Sequence, residues 1–136
     1  MTGRGILDTS TVVLLGRLGA EDLPGEPLIT SVTLAELSVG PLVASTPKER
    51  AARQAVLQQA EADFEPLPFD AKAARAFGGV ANSLRSAGRK IQARGYDAMI
   101  AATAVANDLP LFTVNPADFA GIDGLDLRPV RFPDQT

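Results

Sequence analysis

The sequence predicts an α/β fold around a parallel sheet, because short apolar strand-like runs alternate with longer helical segments along the whole chain. Helix-start and helix-stop residues stand between these runs, and no repeat, low-complexity stretch or linker interrupts them. At 136 residues, 46% of them hydrophobic, the chain has the length and the apolar content for one domain with its own core. With only six Phe, one Tyr and no Trp, that core must be mainly aliphatic and alanine-based.

Gly5-Ile6-Leu7 reads as the first strand and runs into Asp8-Thr9-Ser10-Thr11, a hydroxyl-rich cap for an apolar helix beginning Val12-Val13-Leu14-Leu15. Residues 19–27 form a loop rich in Gly, Pro and acid. Leu28-Ile29-Thr30 is a second strand, and 32–39 a helix stopped by Gly40-Pro41. Ser45-Thr46-Pro47 starts a long helix over 48–63, with Pro at its first position. Residues 65–69 read as a third strand, placed at an edge by two prolines. Asp70 caps a helix over 71–87 that Gly88 ends. A basic loop over 89–95 leads into an alanine-rich helix over 97–107. Leu111-Phe112-Thr113-Val114 is a fourth strand, Asn115-Pro116-Ala117-Asp118-Phe119 a turn, and 125–130 a fifth strand. Residues 1–132 are expected to form the domain and 133–136 a polar tail.

What is missing narrows the chemistry. With no Cys and no His, the chain has no thiol nucleophile, zinc finger, iron–sulfur ligands or Ser-His-Asp triad. Carboxylate, hydroxyl, amide, Lys, Arg and one Tyr remain, and if the protein is an enzyme the tool that suits this set best is a hard, oxygen-ligated cation such as Mg²⁺ or Mn²⁺. No apolar run approaches the roughly 18 residues of a membrane span, and no signal peptide is visible, so a soluble, cytoplasmic protein is expected. The net charge of −3 speaks weakly against a nucleic-acid partner. Its distribution speaks for one: residues 71–96 contain no acid but carry Lys72, Arg75, Arg85, Arg89, Lys90 and Arg94. A solvated helix face is the plainer alternative.

Ligands of open α/β sheets bind beyond the carboxyl ends of the strands. Asp8 closes the first strand, Glu36 lies in the helix after the second, Asp97 opens the alanine-rich helix, and Asp118 follows the fourth strand. Each also has a structural alternative: a cap for Asp8, a capping box with Thr33 for Glu36, a dipole contact for Asp97 and a turn for Asp118.

The four positions fall in motifs that resemble those of PIN-domain nucleases, in particular the VapC-like toxins of type II toxin–antitoxin pairs. Ile6-Leu7-Asp8-Thr9-Ser10 resembles the first motif and Ile29-Thr30-Ser31-Val32-Thr33-Leu34-Ala35-Glu36-Leu37 the second. Asp97-Ala98-Met99-Ile100-Ala101-Ala102-Thr103-Ala104 resembles the third, and Leu111-Phe112-Thr113-Val114-Asn115-Pro116-Ala117-Asp118-Phe119 the fourth. The order and spacing match over nearly the whole chain. The chain departs from the pattern at Val114, where a basic residue is usual, and in Gln92-Ala93-Arg94-Gly95-Tyr96 before the third motif.

The resemblance implies a three-layer fold with a central five-stranded parallel sheet flanked by helices. It also implies Mg²⁺ or Mn²⁺ held by Asp8, Glu36, Asp97 and Asp118, with Asp118 acting more remotely, and support from Thr9, Thr113 and Asn115. The implied activity is RNA hydrolysis; the basic segment offers Arg85, Arg89, Lys90 and Arg94 to the RNA backbone, and Arg89 also matches a basic residue common before the third motif. The implied partners are a VapB-like antitoxin that inserts a basic side chain into the acidic pocket, and a second copy in a homodimer. Two alternatives remain: a housekeeping PIN nuclease without antitoxin, against which the short chain speaks, and a Mg²⁺-binding receiver-like module. The latter lacks the paired acids at the first strand and the late Lys that receivers need.

Overall fold

The structure, a computed structural model, describes residues 3–132; the tail expected at 133–136 lies outside them. In chain order the elements are β1 (Arg4–Leu7), α1 (Thr9–Val13), β2 (Glu26–Leu28), α2 (Ser31–Val39), α3 (Pro47–Asp63), α4 (Ala71–Ser86), α5 (Gly95–Ala106), β3 (Leu111–Thr113) and β4 (Leu127–Pro129). The strands form one parallel sheet in the order β2-β1-β3-β4.

Among the described residues the sheet has four strands where five were expected. The segment expected as the third strand contributes a single parallel bridge, Leu67 to Thr30. Leu67 donates its N–H to the Ile29 carbonyl and accepts from Ser31 N–H. The next N–H on that side, that of Phe69, goes to the Ser31 hydroxyl at 3.2 Å instead of a backbone carbonyl, so the ladder stops at one residue.

Local signals place the helices. The Thr46 hydroxyl accepts from Glu49 N–H at 3.1 Å, with Pro47 in the first helical position of α3. Asp70 accepts from Ala73 N–H at 3.0 Å to start α4, and Gly88, at φ +77°, takes the left-handed conformation just beyond its end.

Both faces of the sheet are covered. Ile6 and Leu111 point into a core shared with Val80, Leu84, Ile100 and Phe119. Their neighbours Leu7 and Phe112 point the other way, into a second core with Val12, Leu37 and Ala60. Gly5 lies where β1 passes the Phe112 ring: a Cβ there would sit 2.4 Å from a ring carbon. In α5, Ala98, Ala101, Ala102 and Ala104 are fully buried, and these small side chains let α4 pack closely along it.

Candidate active site

All strands are parallel, so their carboxyl ends share one edge of the sheet. The chain leaves central β1 for β2 on one side and returns to β3 on the other, which makes the gap between the ends of β1 and β3 the topological switch point. α5 leads into β3 across the sheet, so its first turn lies at the same edge.

Asp8 stands at this gap as the residue capping α1, and it is 3% exposed. One carboxylate oxygen accepts from Thr11 N–H at 3.3 Å and from the Thr11 hydroxyl. The other accepts from the Ser10 hydroxyl at 3.0 Å and from the Thr113 hydroxyl at 2.9 Å. Thr113 in turn accepts from Asn115 N–H, Thr11 accepts from Val114 N–H, and the Asn115 amide donates to Ser10. This web ties the turn after β1 to the turn after β3. It also leaves the buried carboxylate fully partnered, which is the condition for burying one. Asp8 is therefore a helix cap and a fixed negative charge together. Ser10 and Thr11 were not singled out as site residues from the sequence; the signal was the hydroxyl run after Asp8.

Glu36 lies half-buried in α2. The cap of that helix is Thr30, whose hydroxyl accepts from Thr33 N–H at 3.2 Å, so the capping box between Thr33 and Glu36 does not form. Instead Glu36 accepts from the Thr9 hydroxyl at 2.6 Å, and Thr9 lies 2.9 Å from the Thr33 hydroxyl, which donates to it. Burial pushes the Glu36 carboxyl above the usual range; Thr9 opposes this and the Asp8 charge adds to it.

Asp97 occupies the first turn of α5. Burial, then the charges of Asp118, Asp8 and Glu36, push its carboxyl up to about 6, against the pull of Arg94. Asp118 sits in the one-turn helix Pro116–Phe119 and accepts from Arg94 Nη1 at 2.7 Å. The same Arg94 nitrogen lies 4.0 Å from Asp97. Glu36 and Asp97 face an open cleft of about 350 Å³ whose walls include Gln92, Arg94, Tyr96 and Met99; Asp8 and Asp118 are not among its lining residues.

The other basic residues differ in what they do. Arg85 and Lys90 are exposed, whereas Arg89 is half-buried and donates to the Ala117 carbonyl, bracing the turn that carries Asp118.

The donors at this edge are carboxylate and hydroxyl oxygens, the hard ligands that Mg²⁺ and Mn²⁺ prefer. The raised Asp97 carboxyl marks a place short of positive charge, and Arg94 already supplies some there. In that chemistry the residues fit a divalent cation. Among the described residues, however, no three acids converge closely enough to share one ion as they stand.

The raised Asp97 carboxyl, set by burial and then by the neighbouring acids, gives a pH dependence. A carboxyl whose folded-state pKa exceeds its unfolded value penalises the fold fully above the folded pKa, and the penalty fades as pH falls through it. For Asp97 that window runs from about 6 down to the ordinary aspartate value of 3.8. Partial exposure limits the effect to on the order of 1–2 kcal/mol. Without metal, the melting temperature should therefore rise by a few degrees between pH 7 and pH 5. A flat or falling profile over that range would show that Asp97 is not charge-crowded. The carboxyls that Arg131 and Arg128 hold low, Asp22 and Asp126, withdraw stability only at lower pH.

The sequence profile of the PIN domain matches residues 6–125. The chain belongs to the PIN-domain family. It is similar to Ribonuclease VapC5 of Mycobacterium tuberculosis, with 43% identity over 123 residues and 88% of each chain covered. It is also similar to Ribonuclease VapC4 of the same organism, with 35% identity over 99 residues and 73% of each chain covered. Among solved structures it superimposes on a chain of the VapBC-5 toxin–antitoxin complex of Mycobacterium tuberculosis with a TM-score of 0.79 and 40% identity, covering 94% of this chain and 98% of that one. The matched segment contains all four acids, Asp8, Glu36, Asp97 and Asp118. Among the described residues no helix of this PIN domain is long and apolar enough to cross a membrane.

Proposed function

We propose that this PIN domain is an endoribonuclease that uses Mg²⁺ or Mn²⁺ and acts as the toxin of a type II toxin–antitoxin pair. The observation that carries the reading is the setting of Asp97, whose carboxyl is raised by burial and then by the charges of the other three acids at this edge of the sheet. The relatives named ribonucleases supply the substrate class.

When bound, the cation lowers the pKa of a water molecule and neutralises charge developing on the phosphate. Asp97 and Glu36, at the cleft, would hold the ion and orient the attacking water. Asp8, fixed by Ser10, Thr11 and Thr113, provides a charge that needs no reorganisation during the reaction. Thr9 orients Glu36, and Thr113 and Asn115 brace the web behind Asp8. Asp118 acts at longer range, from beyond Arg94. Arg85 and Lys90 are exposed and suited to the RNA backbone, Arg89 holds the Asp118 turn, and Arg94 reaches phosphate once it leaves the acids. Attack by water, without the ribose hydroxyl, leaves 5′-phosphate and 3′-hydroxyl ends.

The acidic cleft also suits a cationic side chain, which is how a VapB-like antitoxin would inhibit the enzyme; complexes of that kind are the assemblies in which the structural relative occurs. A homodimer completes the proposal.

The test is cleavage of a 5′-labelled RNA by purified protein in Mg²⁺, in Mn²⁺ and in EDTA. Cleavage in either metal, its loss in EDTA, its return on adding metal back, and 5′-phosphate products are expected. Cleavage indifferent to EDTA, or 2′,3′-cyclic phosphate ends, contradicts the proposal.

A further inference from the structure

Arg94 lies at the hinge between the one-turn helix Ile91–Arg94 and α5, where its backbone caps α5 without a side-chain cap bond. Its side chain turns inward. Nη1 is 2.7 Å from Asp118 and 4.0 Å from Asp97, so one guanidinium spans acids on two different elements. It also lines the cleft beside Glu36 and Asp97. No three acids of the described chain close on one point. The group standing between Asp97 and Asp118 is this guanidinium.

We propose that Arg94 is a tethered counter-cation that holds the Asp97–Asp118 side of the pocket in the metal-free protein and must be displaced before a divalent ion can be seated. The inference rests on the metal-site reading above and adds a regulatory residue to it. A divalent ion carries twice the charge of the guanidinium in a smaller volume, so it wins the exchange at sufficient concentration. The competition weakens its apparent affinity. The pairing is only partly buried, with Arg94 and Asp118 side chains 35% and 38% exposed, so the competition is modest and reversible. Once displaced, the guanidinium remains on the rim of the cleft, within its own side-chain reach of an incoming phosphate. Metal loading and substrate engagement are thereby linked through one residue.

The test is calorimetric titration of RNA-free protein with Mn²⁺. Arg94→Gln should bind Mn²⁺ roughly 1.5- to fivefold more tightly than wild type, the range that follows from losing a partly exposed ion pair. Arg94→Met, which keeps the aliphatic stem without the charge, should tighten binding in the same way and covers the case in which Gln disturbs the fold. Wild-type or weaker Mn²⁺ affinity in a folded Arg94 variant overturns the inference. Asp97→Asn separates the two levels. If it abolishes Mn²⁺ binding while Arg94 variants bind as wild type does, the metal site stands and the counter-cation role falls. If wild type binds no Mn²⁺, or Asp97→Asn binds as wild type does, the metal site itself falls and the inference with it.

Discussion

Asp97→Asn should lower RNA cleavage by at least about a hundredfold, the scale of removing one preorganised charge from a phosphoryl-transfer site, while raising the melting temperature of the metal-free protein. The two effects share a cause. The Asp97 carboxyl is forced up to about 6 by burial and by three neighbouring acids, so its charge is useful to a cation and costly without one. The amide keeps the shape and removes the repulsion. Relief of on the order of 1 kcal/mol corresponds to a rise of roughly 2–6 °C for a domain of this size. The same change should shrink the stabilisation by Mg²⁺, which for an intact site at ten times the dissociation constant is roughly 1.4 kcal/mol. Melting curves in EDTA and in Mg²⁺, beside a cleavage assay, read all three. A variant that melts lower in EDTA yet keeps the full Mg²⁺ shift makes Asp97 a helix-dipole residue only. Glu36→Gln should follow the same pattern with a smaller gain in stability, because Thr9 already offsets part of its burial.

Asp8→Ala should behave in the opposite way: cleavage is lost and the fold weakens with it. The Asp8 carboxylate accepts from Ser10, Thr11 and Thr113, and its removal strands their donors at a buried position and uncaps α1. Each orphaned buried group costs about 1–3 kcal/mol, so a total of about 2–4 kcal/mol is expected after partial rearrangement. That is a drop of roughly 10 °C in melting temperature. Asp8→Asn keeps one carbonyl oxygen and lets hydroxyls rotate, so it should recover much of the stability and none of the cleavage. Urea unfolding of the pair, with a matched cleavage assay, checks this. Full stability of Asp8→Ala would mean that the hydroxyl web is not what joins the two turns.

The contrast between Asp97 and Asp8 shows what was legible in the sequence. Helix boundaries were written locally: Thr46-Pro47, Asp70 and Gly88 act on residues within a turn of themselves. The acids were legible as well, because a strand followed at once by Asp8, or by a turn holding Asp118, places them at the sheet edge before any contact is known. Residues 65–69 read as a third strand from the apolar content at Leu67 and Phe69, but a side-chain acceptor, the Ser31 hydroxyl, takes the Phe69 N–H that a ladder would need. What was not legible depends on contacts between distant residues. The Thr113 to Asp8 bond closes a separation of 105 residues and the Arg94 to Asp118 bond one of 24. No local periodicity announces that Arg94 turns onto the acids while Arg85 and Lys90 stay outside. The cap of α2 was displaced from Thr33 to Thr30 for a related reason: two threonines at helical spacing offer the same local signal, and tertiary packing selects between them.

The most direct test of the central claim is where a cation sits. Crystals of the protein soaked in Mn²⁺ should give an anomalous-scattering peak among the carboxylates of Asp8, Glu36 and Asp97, with Arg94 no longer on Asp118. A peak elsewhere, or no peak in crystals of protein that cleaves RNA in the same Mn²⁺ concentration, would contradict a metal site among these acids at the ends of β1 and β3.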